Sequence, residues 1–408
     1  MDPASTDPIR AFYNAHPYPP PVPDLDRVRE RWRDPGRSRS EFHLFWPDRP
    51  FRAEFDILVA GCGTSQAARH AICWPGSRVT GIDVSATSLE ETRRLKQRYA
   101  LDNLETEMRA IEDVGQSGRQ FDLIVCTGVL HHLADPGLGL RALRSVLKPG
   151  GALYLMVYAP HGRTGIYLLQ AYCRQLGIGT SAEEIDGLVE VVEALPWQHP
   201  LMAVLGQSRD FLDRDALADA LLNPRDRAYS VPQLFELIAA SGLAFRRWYR
   251  QAPYLPHCGA MARTSHAARV RALPPQAQFA AMELWRGAMA THSVVLGRDD
   301  EEAGHPVDFQ GEDWMGYVPI RLPATACERE QVPPGAVGVL FNRSHRFHDI
   351  VLPVGPEEAR MLEAIDGQRT IGEIASMAGS PAPAGPRAFF EALWRHDQVA
   401  IDASKGAA

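Results

Sequence analysis

Three groups of residues could do chemistry. The first lies in ILVAGCGTSQAARHA at 57–71, an apolar run that breaks into Gly61-Cys62-Gly63 and then into sequence able to form helix. Glycines at such a break let the backbone turn sharply at the end of a strand and leave amides free toward a carboxylate or a small polar ligand. A dinucleotide fingerprint asks for G-x-G-x-x-G. The third glycine position holds Gln66, so one element of the pyrophosphate signature is missing. The second group is Asp83, closing the next apolar run, where a carboxylate can accept hydrogen bonds from both hydroxyls of a ribose. The third is His131-His132, preceded by Thr127-Gly128 and followed by Tyr158. Imidazole exchanges protons near neutral pH, and a hydroxyl or amine that reacts as a nucleophile must lose one.

These residues need strands to carry them. From 51 to 158 short apolar runs alternate with helical patterns, the signature of a parallel sheet built from βαβ units. The pattern predicts strands at Asp56–Ala60, Arg78–Asp83, Leu104–Ala110, Phe121–Thr127 and Ala152–Tyr158, with helices starting near Gln66, Ala86 and Gly137. Ser85 is placed to cap the second helix. Residues 159–228 read as an irregular helical insertion, and SVPQLFELIAASG at 230 predicts a helix over 231–241. Two later runs, Phe245–Ala252 and Ser293–Leu296, would complete the sheet around a helical segment near 265–290. Ahead of it all, FYNAHPYPPPVPDLDRVRERW has five prolines between 17 and 23 and reads as an extended strap or lid. Tyr13, His16 and Tyr18 lie in it; Arg163 and Tyr167 follow the fifth strand.

Composition sets limits. A chain of 408 residues, 45% hydrophobic and 23% charged, is expected to be globular with two or three domains. The run ALYLMVY at 152–158 is far short of the ~20 apolar residues of a membrane helix. MDPASTDPIR lacks a basic-then-apolar signal pattern, so the expected location is cytoplasmic. Six cysteines show no C-x-x-C pair and no zinc spacing, so no metal is expected and the thiols read as reduced. The net charge of −7 arises entirely beyond residue 300, where 16 acidic side chains face 9 basic ones. Nucleic-acid binding, which needs a basic patch, is disfavoured. No G-x-x-x-x-G-K-[ST] loop supports nucleotide hydrolysis. The fourth strand runs into CTGVLHH, with no N-P-P-Y or D-P-P-Y.

VAGCGTS at 59–65, VTGIDVSATSLE at 79–90, FDLIVCTGVLHHLADP at 121–136 and LRALRSVLKPGGALYLMVY at 140–158 occur in an order and spacing that resembles the class I S-adenosylmethionine-dependent methyltransferases, in particular the group with ubiquinone-biosynthesis-like methyltransferase domains. The resemblance is dense over 55–158 and looser to 298. It implies an α/β fold, a doubly wound, mainly parallel seven-stranded Rossmann-like sheet, with S-adenosylmethionine as cofactor. It assigns Gly61, Cys62 and Gly63 to the cofactor loop, Asp83 to the ribose, Val84 and Ile111 to the adenine, and the backbone of Thr127 and Gly128 to the methionine part. The acidic residue usual after the third strand is replaced by Ala110, leaving Glu112 to reach the adenine amino group. His131, His132 and Tyr158 become the candidates for proton work, with Tyr13, Tyr18, Arg163 and Tyr167 as acceptor or lid residues.

The expected domains are a strap at 1–50, the methyltransferase domain at 51–300 and an acidic accessory domain at 301–408. Within 351–402 the order helix, Asp-Gly turn, helix from Thr370 with Glu373 completing a capping box, helix, strand looks like a small α+β winged-helix unit. It resembles the peptide-recognition domain of ribosomal-peptide-modifying enzymes. The bland use is homodimerisation or capping of a core. The favoured function is methyl transfer to a small molecule; the alternatives are a peptide or protein acceptor recruited by the tail, and a non-catalytic regulator that has kept the cofactor pocket.

Overall fold

The apolar runs of the first half form β1 (Asp56–Ala60), β2 (Arg78–Asp83), β3 (Leu104–Met108), β4 (Phe121–Thr127) and β5 (Leu147–Tyr158). With β6 (Leu243–Trp248) and β7 (Thr291–Arg298) they make a seven-stranded sheet of order β3-β2-β1-β4-β5-β7-β6. The first five strands pair in parallel, and β7 runs antiparallel to β5. Ile57–Ala60 and Phe121–Cys126 are buried throughout, as expected of strands covered on both faces. The strand order reverses between β1 and β4, the switch point where a doubly wound sheet opens a crevice at its carboxyl ends.

The computed structural model describes residues 7–205, 213–301, 307–311, 313–380 and 383–405. By internal contacts the chain divides into one unit of Met1–Glu30, Glu54–Phe245 and Arg286–Asp299 and another of Arg31–Ala53, Arg246–Trp285 and Asp300–Ala408.

Element boundaries in the first unit shift for local reasons. β3 stops at Met108 because Ala110 begins the 3-10 turn Ile111–Ser117. β5 starts at Leu147, five residues before its apolar run: Lys148-Pro149-Gly150-Gly151 continues the strand, with Gly150 at φ +66° and a register shift opposite Phe121 and Leu123. Lys148 Nζ lies 2.6 Å from Asp56 and 2.8 Å from Asp122, so one ammonium joins the entry ends of β1, β4 and β5. Ser85 caps Ala86–Tyr99, and Asp135 caps Pro136–Ser145. The segment read as an extended strap starts instead as a helix, Pro8–Ala15, because the Asp7 side chain caps it and Pro8 takes the first helical position. The insertion is helical at Thr164–Leu176, Ala182–Glu193, Leu201–Leu205 and Arg214–Leu222, around a core of Ile166, Leu169, Leu188, Val192, Leu201, Leu217 and Leu221. Residues 206–212 of that insertion lie outside the described residues.

The second unit contains β8 (Val318–Arg321), β9 (Thr325–Glu328), β10 (Gly338–Asn342), β11 (Val351–Val354) and β12 (Val399–Asp402). β9, β10 and β11 form an antiparallel sheet of order β11-β10-β9, and β12 pairs antiparallel with β8. Pro356–Glu363, Ile371–Met377 and Ala384–Arg395 are helices, and Thr370 and Glu373 form the capping box. Phe309, Trp314, Ile371, Ile374, Phe390 and Leu393 centre its core. Asp397, buried and left-handed at φ +53°, accepts from the amide of Ala252 at 2.9 Å and from His345 Nε2 at 3.0 Å. Those bonds and the guanidinium groups nearby hold its carboxyl below the usual range against the opposing effect of burial.

Two helical glycines give opposite expectations. Alanine is favoured over glycine in a helix by about 1 kcal/mol, but a β-carbon at Gly165 would lie 2.2 Å from the Leu201 amide nitrogen, while at Gly187 it would meet nothing. Gly165→Ala should therefore cost about 1–3 kcal/mol through overpacking, and Gly187→Ala should add about 0.5–1 kcal/mol. Urea midpoints at an unchanged m-value measure both.

Candidate active site

The loop after β1 is shaped by an approach that admits no side chain. Gly61 has φ +70°, and a β-carbon on it would sit 2.4 Å from Val129 Cγ2 on the loop after β4. Gly63 has φ +55°, and its β-carbon would stand 3.3 Å from the Tyr18 carbonyl oxygen and from Pro19. The amides of this loop are not free, as the sequence led us to expect. Those of Gly61 and Cys62 both donate to the Ile82 carbonyl at 2.9 Å, and Gly63 donates to Asp83 Oδ2 at 2.8 Å. The loop thus carries the β1–β2 pairing past the strand end and finishes on the carboxylate.

The Cys62 thiol is buried facing Gly81, 3.1 Å from where a β-carbon would be, and burial pushes its pKa up. This side chain packs helix on strand and is not presented to a ligand. Asp83 Oδ1 accepts from the Ser85 amide at 2.9 Å. Burial raises its carboxyl pKa despite the amides of Ser85, Gly63 and Val84.

At the end of β4, Thr127 Oγ1 accepts from Gln66 Nε2 at 2.5 Å. Gln66, which occupies the missing third-glycine position, thereby links the helix after β1 to β4. Gly128, at φ +79°, donates to the Met156 carbonyl at 3.2 Å. The chain then forms the short turn Leu130–His132. His131 is wholly buried, and neither ring nitrogen has a partner. Burial first, then His132 and Arg163, hold its pKa well below the ordinary imidazole value, so the ring is neutral. His132 Nδ1 lies 2.5 Å from the Arg225 carbonyl. A carbonyl only accepts, so Nδ1 carries the proton and the neutral ring has its lone pair on Nε2, which is buried without a partner.

Tyr158, the last residue of β5, is clamped. The His131 ring centroid is 3.8 Å from its own, tilted by 30°, and the Arg163 guanidinium carbon is 3.5 Å from it. Two groups that close to one centroid must lie on opposite faces. Arg163 in turn pairs with Asp226 Oδ2 at 2.8 Å, donates to the Tyr167 hydroxyl at 3.2 Å, and is buried. Gln170 Nε2 adds a 2.7 Å bond to the same Asp226 oxygen, while Asp226 Oδ1 is buried without a partner. Burial and Asp219 raise the Tyr158 pKa well above its usual value, with Asp226 and Tyr18 adding to the shift and Arg163 opposing it. Tyr167 is pushed up to about 12 by burial and Asp226. Both phenols stay protonated, which suits hydrogen-bond donors and not bases.

Tyr13 closes the group from the N-terminal helix. Its hydroxyl donates to Asp219 at 2.7 Å and accepts from Asn223 at 3.1 Å, and its ring meets that of His132 edge-on at 6.0 Å. Burial and Asp219 push its pKa well up. Asn14 Oδ1 accepts from the Ser85 hydroxyl and the Ala86 amide, both at 3.0 Å, and Thr64 donates to the Pro19 carbonyl at 2.8 Å. The N-terminal segment therefore spans from the Asp83 turn to the Gly63 loop. Tyr18 is 37% exposed, and His16 is drawn 3.1 Å from Asp215 at the insertion.

The expected adenine residues sit beside this loop. Val84 is half-buried after Asp83, and Ile111 is buried in the 3-10 turn. Glu112 is half-buried, and burial, then Asp113 and Asp7, raise its pKa. Asn14, Asp219, Asn223 and Asp226 carry no motif that marks them in the sequence. For Asp219, Asn223 and Asp226 the one signal is acids and an amide within the mostly apolar ADALLNPRD.

The unpaired ring of His131 has a measurable consequence. Its folded pKa lies below the unfolded value of about 6.5, so on acidification the unfolded chain takes up the proton first. The stability present above about pH 6.5 is then lost as pH falls, at up to about 1.4 kcal/mol per pH unit. His131→Gln should flatten this acid slope relative to the parent, and the 15N shifts of the parent's His131 ring should keep neutral-ring values at pH 5.5.

Comparison with known proteins bears on the same segment. Residues 58–153 match the family model described as a methyltransferase domain. An uncharacterized Synechococcus sp. protein, syc1184_c, is 33% identical over 257 residues, 60% of each chain. The ubiquinone biosynthesis O-methyltransferase of Actinobacillus pleuropneumoniae is 28% identical over 146 residues, 32% of this chain and 60% of that one. The chain thus spans about 60% of the length of these curated relatives. Among solved structures, PKMT2 from Rickettsia typhi superposes with a TM-score of 0.62 at 14% identity, covering 91% of this chain and 75% of that one. It shares the fold. Matched family model, strand order and the glycine–aspartate turn agree: residues 58–153 form a methyltransferase domain.

Proposed function

We propose that the protein transfers a methyl group from S-adenosylmethionine to a small-molecule acceptor enclosed between the N-terminal helix, the helical insertion and the carboxyl ends of β4 and β5. The observation that carries this reading is one juxtaposition. The Gly61 loop, tied to Asp83, lies against Val129, two residues before the buried, unpartnered His131. His131, His132, Arg163 and Asp219 are each less than 7% exposed, which favours an acceptor small enough to be enclosed. Five of the six cysteines are buried and no disulfide joins them among the described residues, which fits a reducing cytoplasm.

The residues present fit the nucleoside. A carboxylate offers about four lone-pair positions, and the Gly63, Ser85 and Val84 amides do not fill them, so acceptor capacity remains for a ribose hydroxyl. Gly61, Gly63 and Gly128 keep side chains out of the cradle, and Val84 and Ile111 supply its apolar wall. When bound, S-adenosylmethionine supplies an electrophilic methyl group. The protein's share is alignment, exclusion of water and management of the acceptor's proton. His132 Nε2 is the base with a lone pair, and the Tyr158 phenol, locked between His131 and Arg163, orients the acceptor. Residues 13–20 act as the lid.

Isothermal titration should show binding of S-adenosylhomocysteine by the intact protein. Asp83→Asn exchanges one acceptor for a donor that faces the Gly63 or Ser85 amide and the ribose. It should weaken that affinity by about tenfold or more with the circular dichroism spectrum unchanged. Undiminished affinity would remove Asp83 from the site. Because burial raises the Asp83 pKa, affinity should begin to fall on acidification before an ordinary aspartate would titrate.

A second reading, a peptide acceptor gathered by the C-terminal unit, is favoured by a cavity of about 230 Å³ there, lined by Cys327, Val337, Val354, Ala359, Leu362 and Glu363 among others. It lies beside a sheet with β9 and β11 at its edges. Val337 is 44% exposed, so Val337→Asp should leave the fold intact. The variant should methylate a small-molecule acceptor as the parent does. Selective loss of turnover on a peptide acceptor would favour the second reading.

A further inference from the structure

We propose that His131, His132, Tyr158 and Asp226 form the acceptor wall and that the group methylated there is an amine, an assignment that rests on the methyltransferase reading above. The argument is an inventory of buried hydrogen-bonding capacity. Asp226 Oδ1, His132 Nε2 and both nitrogens of His131 are buried with no partner. Asp226 Oδ1 is an acceptor. His132 Nε2 is an acceptor because Nδ1–H is committed to the Arg225 carbonyl. A neutral His131 contributes one acceptor and one N–H. Three sets of lone pairs therefore stand against one ring N–H and the Tyr158 hydroxyl, for which no hydrogen bond is made among the described residues.

Leaving a buried donor or acceptor unpaired is costly, so a ligand is selected by how many it satisfies. An alcohol or phenol brings one O–H. An alkylammonium brings three N–H groups. Charge points the same way. Asp219 and Asp226 face the group, with Arg163 as the cation paired to Asp226, and among the described residues Asp219 is bonded to the neutral Tyr13 and Asn223 and to no cation. One carboxylate charge is thus left without a cationic partner among the described residues, beside the ring of Tyr13, and an aromatic face also attracts a cation.

The transfer balances with groups already named. One ammonium proton passes to His132 Nε2, giving an imidazolium that later releases it to water. The freed nitrogen lone pair forms the N–CH₃ bond as the S–CH₃ bond breaks, its electron pair staying on sulfur. The products are an N-methylammonium and the neutral thioether S-adenosylhomocysteine.

The test uses the full chain. Protein saturated with S-adenosylhomocysteine is titrated with n-butylamine and with n-butanol, and binding is followed by saturation-transfer NMR. In parallel, n-butylamine, a short lysine-containing peptide and its norleucine counterpart are assayed for methyl incorporation, which distinguishes a free amine from one borne on a peptide. Binding of butylamine at least about tenfold tighter than butanol is expected. His132→Asn places an amide N–H where Nδ1–H was, keeps the bond to Arg225 and deletes the Nε2 lone pair. It should weaken butylamine binding about tenfold while S-adenosylhomocysteine affinity stays within about twofold. Asp226→Asn, which keeps an acceptor for Arg163 and turns the other atom into a donor, should do the same and covers the case in which the first variant does not fold. Equal binding of alcohol and amine, no binding of the amine, or full amine binding by the folded variants overturns the assignment. Failure of the parent to bind S-adenosylhomocysteine overturns the methyltransferase reading instead.

Discussion

No side chain fits at position 61, and the rest of the site follows from that exclusion. With a β-carbon there, Val129 would have to move by more than an ångström, and the loop after β4 could not cross the loop after β1. Because the crossing is allowed, the turn that begins with Val129 puts His131 and His132 over the same edge of the sheet that ends in Asp83. Gln66 reinforces the arrangement from the other side through Thr127. A parallel sheet fixes strand spacing at just under 5 Å; what the glycine adds is contact between two connections that the spacing alone would leave apart.

That edge was largely legible in the sequence, and the wall above it was not. Strands buried on both faces announce themselves as unbroken apolar runs, which is why β1, β2 and β4 lie where Ile57, Val79 and Leu123 led us to draw them. Caps are equally local: Ser85 needs only the next three residues, and Thr370 needs only Glu373. The free amides expected at Gly61 and Cys62 failed for a reason no local pattern carries, namely that Ile82, about twenty residues on, supplies the carbonyl that takes both. Cys62 failed likewise, since the space beneath Gly81 that receives its thiol belongs to the neighbouring strand. Asp219 and Asp226 were hidden more deeply. Asp219 lies in a mostly apolar helix and Asp226 in the loop after it, and their partners Tyr13 and Arg163 are 206 and 63 residues away. The N-terminal helix was missed because the prolines at 17–23 dominated the reading, while its own start signal, Asp7-Pro8, is only two residues long.

The clamp on Tyr158 shows how an arginine can be buried usefully. Taking a guanidinium out of water costs several kcal/mol unless its charge and its donors are met. Here Asp226 meets the charge, the Tyr167 hydroxyl takes one N–H, and the face rests on a ring. Burial opposes the Arg163 charge, yet Tyr158, Asp226 and Tyr167 more than offset it. The cation does not depend on a ligand for its stability. It leaves the opposite face of Tyr158 to His131 and one oxygen of Asp226 uncommitted, so the same contacts that make the insertion stable also set what remains to be satisfied.

Tyr13 and Asp219 are joined across 206 residues of sequence, and Phe12 packs against Ile185 and Ala218 beside them. During synthesis the helix Pro8–Ala15 is therefore amphipathic with an apolar face that has no home until the chain 206 residues beyond Tyr13 has been made. Such long-range closure slows folding relative to local pairing and leaves the early helix for chaperones or for a transient, non-native resting place. The N-terminal helix is thus made before its seat, and this unit acquires its finished shape only once the insertion is complete.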